Sequence, residues 1–295
     1  MVFGYEFIVL NKNLPKMLSS NHNISLTKRI KYIGHYIRYA DNGSGDCIVL
    51  LHGYLETLDI WQDFANKLTL NYRVILIDLP GHGESDNAGK TNTMELMAET
   101  VRFVLKELKI SKVHLLGHSM GGYVSLAFAE MYPDLLNSLI IFHSTGNSDT
   151  SEKIKNRNRE IELVQQGKKE IIINTNIPFA FGSKNVEKLN SEISRIIRFA
   201  KKQSDKGIIA SIEGMKSRKD RKHVLKEIDV PVLFIYGKHD NYIPFDTIAI
   251  QTELPKKTYL SVLENSGHMG FIEEEQKSIN AIMEFISTMR NSNYE

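Results

Sequence analysis

At 295 residues the chain is sized for one large domain, or for one domain carrying a substantial insertion. Hydrophobic residues make up 42% and charged residues 24%, a balance that supports a sizeable core and argues against disorder, and a net charge of +2 gives no reason to expect nucleic acid as a partner. The single cysteine, Cys47, rules out an intramolecular disulfide, and no apolar run approaches the roughly 18 residues that span a bilayer, so a cytoplasmic setting without a membrane span is expected.

Residues 1–23 read as an N-terminal extension. Its short apolar run Phe7-Ile8-Val9-Leu10 follows Glu6 and lacks both a basic lead and a small-residue cleavage site, so it is not read as a secretion signal. Beyond it, short apolar runs alternate with amphipathic stretches, the pattern of a mostly parallel sheet flanked by helices. Ile30–Ala40 mixes polar and apolar residues and reads as one edge strand. Cys47–Leu51 follows, with the cysteine as a small core residue. Arg73–Ile77 contains Val74-Ile75-Leu76-Ile77, apolar throughout as in a strand buried on both faces. In Thr93–Leu108 the residues Met94, Met97, Ala98, Val101, Val104, Leu105 and Leu108 keep helical spacing. The strand Val113–Leu116 runs into a helix over Ser119–Met131 that ends before Pro133, and the next strand is Ser138–Phe142.

Between Gly146 and Pro231 the rhythm breaks. The one strand-like run is Ile171-Ile172-Ile173, and Asn147 to Asp229 carries 19 Lys/Arg against 12 Asp/Glu, a net +7 that leaves −5 for the rest. This basic, helix-rich stretch (147–229) reads as a lid or cap inserted into a core made of 24–146 and 230–295, its charge as a solvated helical face. Strands Val232–Tyr236 and Tyr259–Leu263 follow, then a helix over about Glu273–Arg290 with carboxylates in its first turn.

The chemistry centres on Gly117-His118-Ser119-Met120-Gly121-Gly122, directly after one strand and opening a helix. A strand that turns into a helix within a few residues crowds its neighbours and strains the central residue, and glycine two before and two after leaves room for the turn. Ser119 then sits above the carboxyl edge of the sheet at a helix N-terminus. A serine hydroxyl needs a base to take its proton, and imidazole suits that near neutral pH. Of the ten histidines, His268 lies after the last strand in the turn Ser266-Gly267-His268, where it can reach Ser119. Asp240, in Gly237-Lys238-His239-Asp240 after another strand, is the carboxylate to orient it. No histidine has metal-site companions, and Gly117–Gly122 lacks the Gly-Lys-Ser/Thr ending of a phosphate loop, so neither metal nor cofactor is expected.

Five segments in order, Leu51-His52-Gly53-Tyr54, Asp78-Leu79-Pro80-Gly81-His82-Gly83-Glu84-Ser85, Gly117–Gly122, Tyr236–Asp240 and Ser266-Gly267-His268-Met269-Gly270, resemble the landmarks of the α/β-hydrolase family, closest to its small esterase and C–C hydrolase branch. The likeness runs from about Ile30 to Arg290 and is weakest in the insertion. It implies oxyanion donors at the backbone N–H groups of Tyr54 and Met120, and a pocket shaped by His52, Gly53, His118, His143 and Met269. The family's alternative acid position, after Ser138–Phe142, reads His143-Ser144-Thr145-Gly146, with no carboxylate before Asp149. The expectation is therefore a cofactor-independent serine hydrolase acting on an uncharged or mildly polar carboxylic ester. C–C or thioester cleavage by the same triad is the alternative, and a small-ligand receptor or interaction protein on the same fold is the non-enzymatic one.

Overall fold

The computed structural model of the protein describes residues 27–291; the expected N-terminal extension lies outside them. Eight strands form one sheet: β1 (Thr27–Tyr32), β2 (His35–Asn42), β3 (Cys47–Leu51), β4 (Arg73–Ile77), β5 (Val113–His118), β6 (Leu136–Phe142), β7 (Val232–Gly237) and β8 (Thr258–Leu263), in the order β1-β2-β4-β3-β5-β6-β7-β8. β1 and β2 are antiparallel and the remaining pairings from β4 to β8 are parallel. The stretch read as one edge strand is thus a hairpin. Ile33 (φ 45°) and Gly34 (φ 87°) turn the chain, and a β-branched residue at positive φ gave no turn signal to read.

Along β3 the side chains alternate between two apolar cores. Ile48 and Leu50 join the cluster on one face, Cys47, Val49 and Leu51 the cluster on the other. Both faces are covered, which is why β3 and residues 74–77 of β4 are apolar without a break. The first face is covered by α1 (Gln62–Leu68) and the C-terminal helix, the second by α2 (Met94–Glu107) and α3 (Met120–Met131). Thr93 caps α2, its hydroxyl accepting the Leu96 N–H at 3.1 Å, and all the expected spaced residues from Met94 to Leu105 are buried.

Between β6 and β7 lie five helices: α4 (Ser151–Gln165), α5 (Lys169–Phe179), α6 (Asn190–Lys202), α7 (Asp205–Lys216) and α8 (Lys222–Glu227). The isoleucine run is helical, not a strand. Ile172, Ile173 and Ile177 point inward while Ile171 is 53% exposed, a helical rather than an alternating pattern. α6 buries Ile193, Ile196 and Ala200 and turns Lys201 and Lys202 outward, so much of the basic charge does lie on solvated faces. Most of the insertion's buried apolar residues join the first core, whereas Met215 of α7 joins the second and α8 packs on α3 with it.

After β7 come α9 (Phe245–Thr252), β8, and then α10 (Gly270–Glu273) and α11 (Glu275–Asn291). The terminal helix expected over about Glu273–Arg290 is α11, and Glu274 (φ −133°, ψ 54°) separates it from the one-turn α10. Leu116 in the central strand β5 is fully buried. Leu116→Ala is expected to cost about 3 kcal/mol of stability in urea unfolding, against about 0.5 kcal/mol or less for the exposed Ile171→Ala.

Candidate active site

The sharp turn after β5 is built from backbone contacts that only glycine permits. A Cβ on Gly117 would stand 2.2 Å from the Gly121 carbonyl oxygen, and one on Gly121 would stand 2.4 Å from the Leu51 carbonyl oxygen of β3. Ser119 is left at φ 50°, ψ −113°, capping α3. Its N–H donates to the Phe142 carbonyl at 3.0 Å, and the Ser144 hydroxyl donates to the Ser119 carbonyl at 2.7 Å. Strain of this kind costs on the order of 1–3 kcal/mol and persists where the surroundings over-determine it.

Asp240 and His268 follow β7 and β8 at the same edge. The His268 Nδ1 lies 2.8 Å from Asp240 Oδ2, and the Asp240 side chain is fully buried. Asp240 Oδ1 accepts the N–H groups of Tyr242 (2.8 Å) and Ile243 (3.1 Å). Burial pushes this carboxyl up, but the charge of His268 and the hydrogen bonds from His143 and His268 outweigh it and hold it well below the usual carboxylate range. With Oδ2 ionised, His268 carries its proton on Nδ1 and keeps Nε2 free to accept. Ser119 and His268 both line a cavity of about 640 Å³, together with Tyr54 and Met269 and, from the insertion, Arg157, Leu163, Ile172 and Ile177. The backbone N–H groups of Tyr54 and Met120 find no acceptor among the described residues.

Four of the expected pocket residues do not line that cavity. His52 is fully buried, its Nε2 accepting the Leu79 N–H at 3.0 Å, so it ties β3 to the turn after β4. Gly53 and His118 lie beneath the Tyr54 loop. His143, at φ 48°, is fully buried behind Asp240. Its Nδ1 is 3.0 Å from Asp240 Oδ2, and its Nε2 accepts the Gly270 N–H at 3.2 Å. Burial pushes its imidazole down to about 4 against the pull of Asp240, so a neutral ring donates from Nδ1. At the position where the family's alternative acid would stand, this chain places a second imidazole within hydrogen-bonding distance of Asp240. Asp149 is engaged elsewhere, with Arg157 and, at 2.6 Å, with Arg218.

Among the described residues the cluster able to bring three metal-ligating atoms together is His143, Asp240 and His268. Its nitrogens sit at hydrogen-bonding distance from one carboxylate oxygen, with protons between them. Cys47 is buried in β3, where burial pushes its thiol up to about 12, as befits an inert core residue.

Two glutamates that no sequence pattern singled out hold the loops. Glu273 Oε1 accepts the N–H groups of Gly267 (2.8 Å) and Met269 (3.1 Å), on either side of His268. Its Oε2 accepts from Gly182 N–H (2.8 Å) and Asn185 Nδ2 (2.7 Å) of the insertion. Glu56 does the same for the Tyr54 loop, accepting the Gly53 N–H at 2.6 Å.

Residues 46–182 match the model of a family described as alpha/beta hydrolase fold. A 2-hydroxy-6-oxononadienedioate/2-hydroxy-6-oxononatrienedioate hydrolase of Escherichia coli K12 is 30% identical over 223 residues, 71% of this chain and 76% of that protein. The pimeloyl-[acyl-carrier protein] methyl ester esterase of Aeromonas salmonicida is 26% identical over 256 residues, 83% of this chain and 96% of its own. Among solved structures, a thermophilic esterase from Thermogutta terrifontis superimposes with a TM-score of 0.85 at 27% identity, covering 90% of this chain and 99% of that one. The chain belongs to the α/β-hydrolase family. It is a hydrolase, similar to these two esterases and to the dioate hydrolase.

Glu273→Gln sets an amide N–H₂ against N–H donors. It is expected to cost about 2 kcal/mol in urea unfolding and to lower ester turnover by loosening the turn that carries His268.

Proposed function

We propose that the protein is a carboxylic ester hydrolase working through Ser119, His268 and Asp240 by way of an acyl-enzyme. The observation that carries this reading is the Asp240–His268 hydrogen bond, which fixes the tautomer of a histidine that shares its cavity with Ser119. His268 Nε2 takes the proton of the Ser119 hydroxyl as Oγ attacks the ester carbonyl. The oxyanion is held by the N–H groups of Tyr54 and Met120, each worth roughly 3–4 kcal/mol in comparable sites. His268 returns the proton to the departing alcohol. It then takes one from water, whose oxygen attacks the acyl carbonyl, and passes it to Ser119 Oγ as that bond breaks and the carboxylic acid is released.

The insertion at 147–229 acts as the lid that shapes the substrate cavity, whose walls mix Leu163, Ile172 and Ile177 with Arg157. No helix among the described residues is long and apolar enough to cross a membrane. With one buried, unpaired cysteine, the protein fits a reducing cytoplasm. Cleavage of a C–C bond by the same groups is the second reading, favoured by the 30% identity to the Escherichia coli dioate hydrolase.

A fluorophosphonate probe is expected to label wild-type protein at Ser119, and Ser119→Ala should lose both labelling and nitrophenyl-ester turnover. Full turnover by purified Ser119→Ala would refute the reading. Asp240→Asn should lower kcat about 10⁴-fold. Asp149→Asn, which strips two arginines of their counter-ion, should lower stability and leave kcat within about tenfold of wild type; the reverse ranking would move the acid to Asp149.

A further inference from the structure

We propose that Glu56 and His118 are positioning residues of the hydrolytic site, a buried carboxylate–imidazolium pair that holds the oxyanion loop and the base loop in register with Ser119 and works only while His118 is charged. The proposal rests on the roles given above to Ser119, His268 and Tyr54.

His118 directly precedes Ser119 and its side chain is fully buried. Its Nε2 lies 2.9 Å from the His268 carbonyl oxygen. A carbonyl only accepts, so Nε2 carries a proton. Its Nδ1 lies 3.1 Å from Glu56 Oε2, the same oxygen that accepts the Gly53 N–H at 2.6 Å. If Glu56 is ionised, Nδ1 also carries a proton and the ring is an imidazolium. The electrostatics favour that state. Burial pushes the His118 imidazole down and the Glu56 carboxyl up, but in each case the partner's charge and the hydrogen bonds together outweigh burial and reverse the direction.

One ring thus ties together three loops. Gly53 is next to Tyr54, whose N–H is the second oxyanion donor. Ser119 is the residue after His118, and the third contact is the backbone of His268 itself. The fit is close, because a Cβ on Gly53 would meet both Glu56 Oε2 and His118 Nδ1 at 3.0 Å. The walls around His118 are aromatic, with Trp61, Phe142 and Phe271 meeting the ring at steep angles. The titratable groups that act on it are Glu56, Asp240, His52, His143 and His268, the last with its ring centre 5.0 Å away. Neither ring nitrogen of His118 is used in acyl transfer, and His118 does not line the cavity.

When the Nδ1 proton is lost, two acceptors face each other and the Glu56 carboxylate is left buried without its counter-charge. Turnover should therefore fall on the alkaline side as His118 deprotonates, through kcat more than KM. Removing the carboxylate lowers the pH at which that happens. In Glu56→Gln an amide oxygen in place of Oε2 still accepts the Gly53 N–H and the Nδ1 proton of a charged His118, so the shape is kept while the negative charge that holds that proton is removed.

The test combines kcat against pH for a nitrophenyl ester with imidazole ¹⁵N NMR of histidine-labelled protein. In wild type, one imidazole is expected to keep both protons above the ordinary histidine value of about 6.5, and to lose one in step with the fall in kcat. In Glu56→Gln that alkaline fall should move down by about one pH unit or more, with KM within about threefold of wild type. Full turnover in wild type at a pH where no imidazole is doubly protonated overturns the proposal, and this arm needs no variant. So does a folded Glu56→Gln whose alkaline limb stays in place. Fluorophosphonate labelling of the same samples separates the two claims: labelled Ser119 with an unmoved limb defeats the pair alone, whereas failure to label defeats the nucleophile.

Discussion

Everything at the carboxyl edge of this sheet is organised around a backbone that must turn from strand to helix at Ser119 with φ at 50°. That turn exists because two chain segments touch without side chains between them, Gly117 against Gly121 and Gly121 against the end of β3. The contact with β3 brings the loop carrying Tyr54 beside the start of α3. The strain at Ser119 is matched by a second positive φ at His143, one strand over. Each of these residues donates its N–H to the neighbouring strand, Ser119 to Phe142 and His143 to Ile235. The sheet itself thus holds the two unfavourable turns.

The charges are arranged with comparable economy. Asp240 is fully buried, yet its two oxygens receive four hydrogen bonds, two from imidazoles and two from backbone. A carboxylate so supplied stays ionised in a setting that would otherwise neutralise it, and its negative charge is what makes an imidazolium at His268 tolerable. Glu56 and His118 form a second acid–imidazole pair, only a ring's width from the first.

The parts of this arrangement that the sequence made legible are those encoded by local spacing. The apolar runs of β3 to β8, the periodicity of α2, and the glycines flanking Ser119 all act on their near neighbours, and each was where its pattern placed it. The errors have one character. Ile33 gave no turn signal because its positive φ is imposed by the hairpin. Three isoleucines looked like a strand until the spacing of Ile173 and Ile177 revealed a helix face. His143, read as a pocket residue, proved to be a buried partner of Asp240. Glu56 stands alone in a loop and Glu273 stands in a run of three glutamates, so no local pattern marks the role of either. Their partners, His118 and Gly182, lie 62 and 91 residues away.

The insertion between β6 and β7 is fastened where α5 ends. Ala180 accepts the His268 N–H at 2.7 Å, Phe179 accepts from Asn241 beside Asp240 at 2.8 Å, and Tyr242 donates its hydroxyl to Asn176 at 2.8 Å. The insertion is therefore joined to the loops carrying Asp240 and His268 through its own main-chain atoms. Carbonyls are the same in every residue, so side chains on these helices can be exchanged while the joint persists. Changes of length near residues 176–182 cannot be absorbed in that way, because they would shift the joint itself. Divergence of specificity in this molecule is thus open to substitution and closed to insertion or deletion at that one seam.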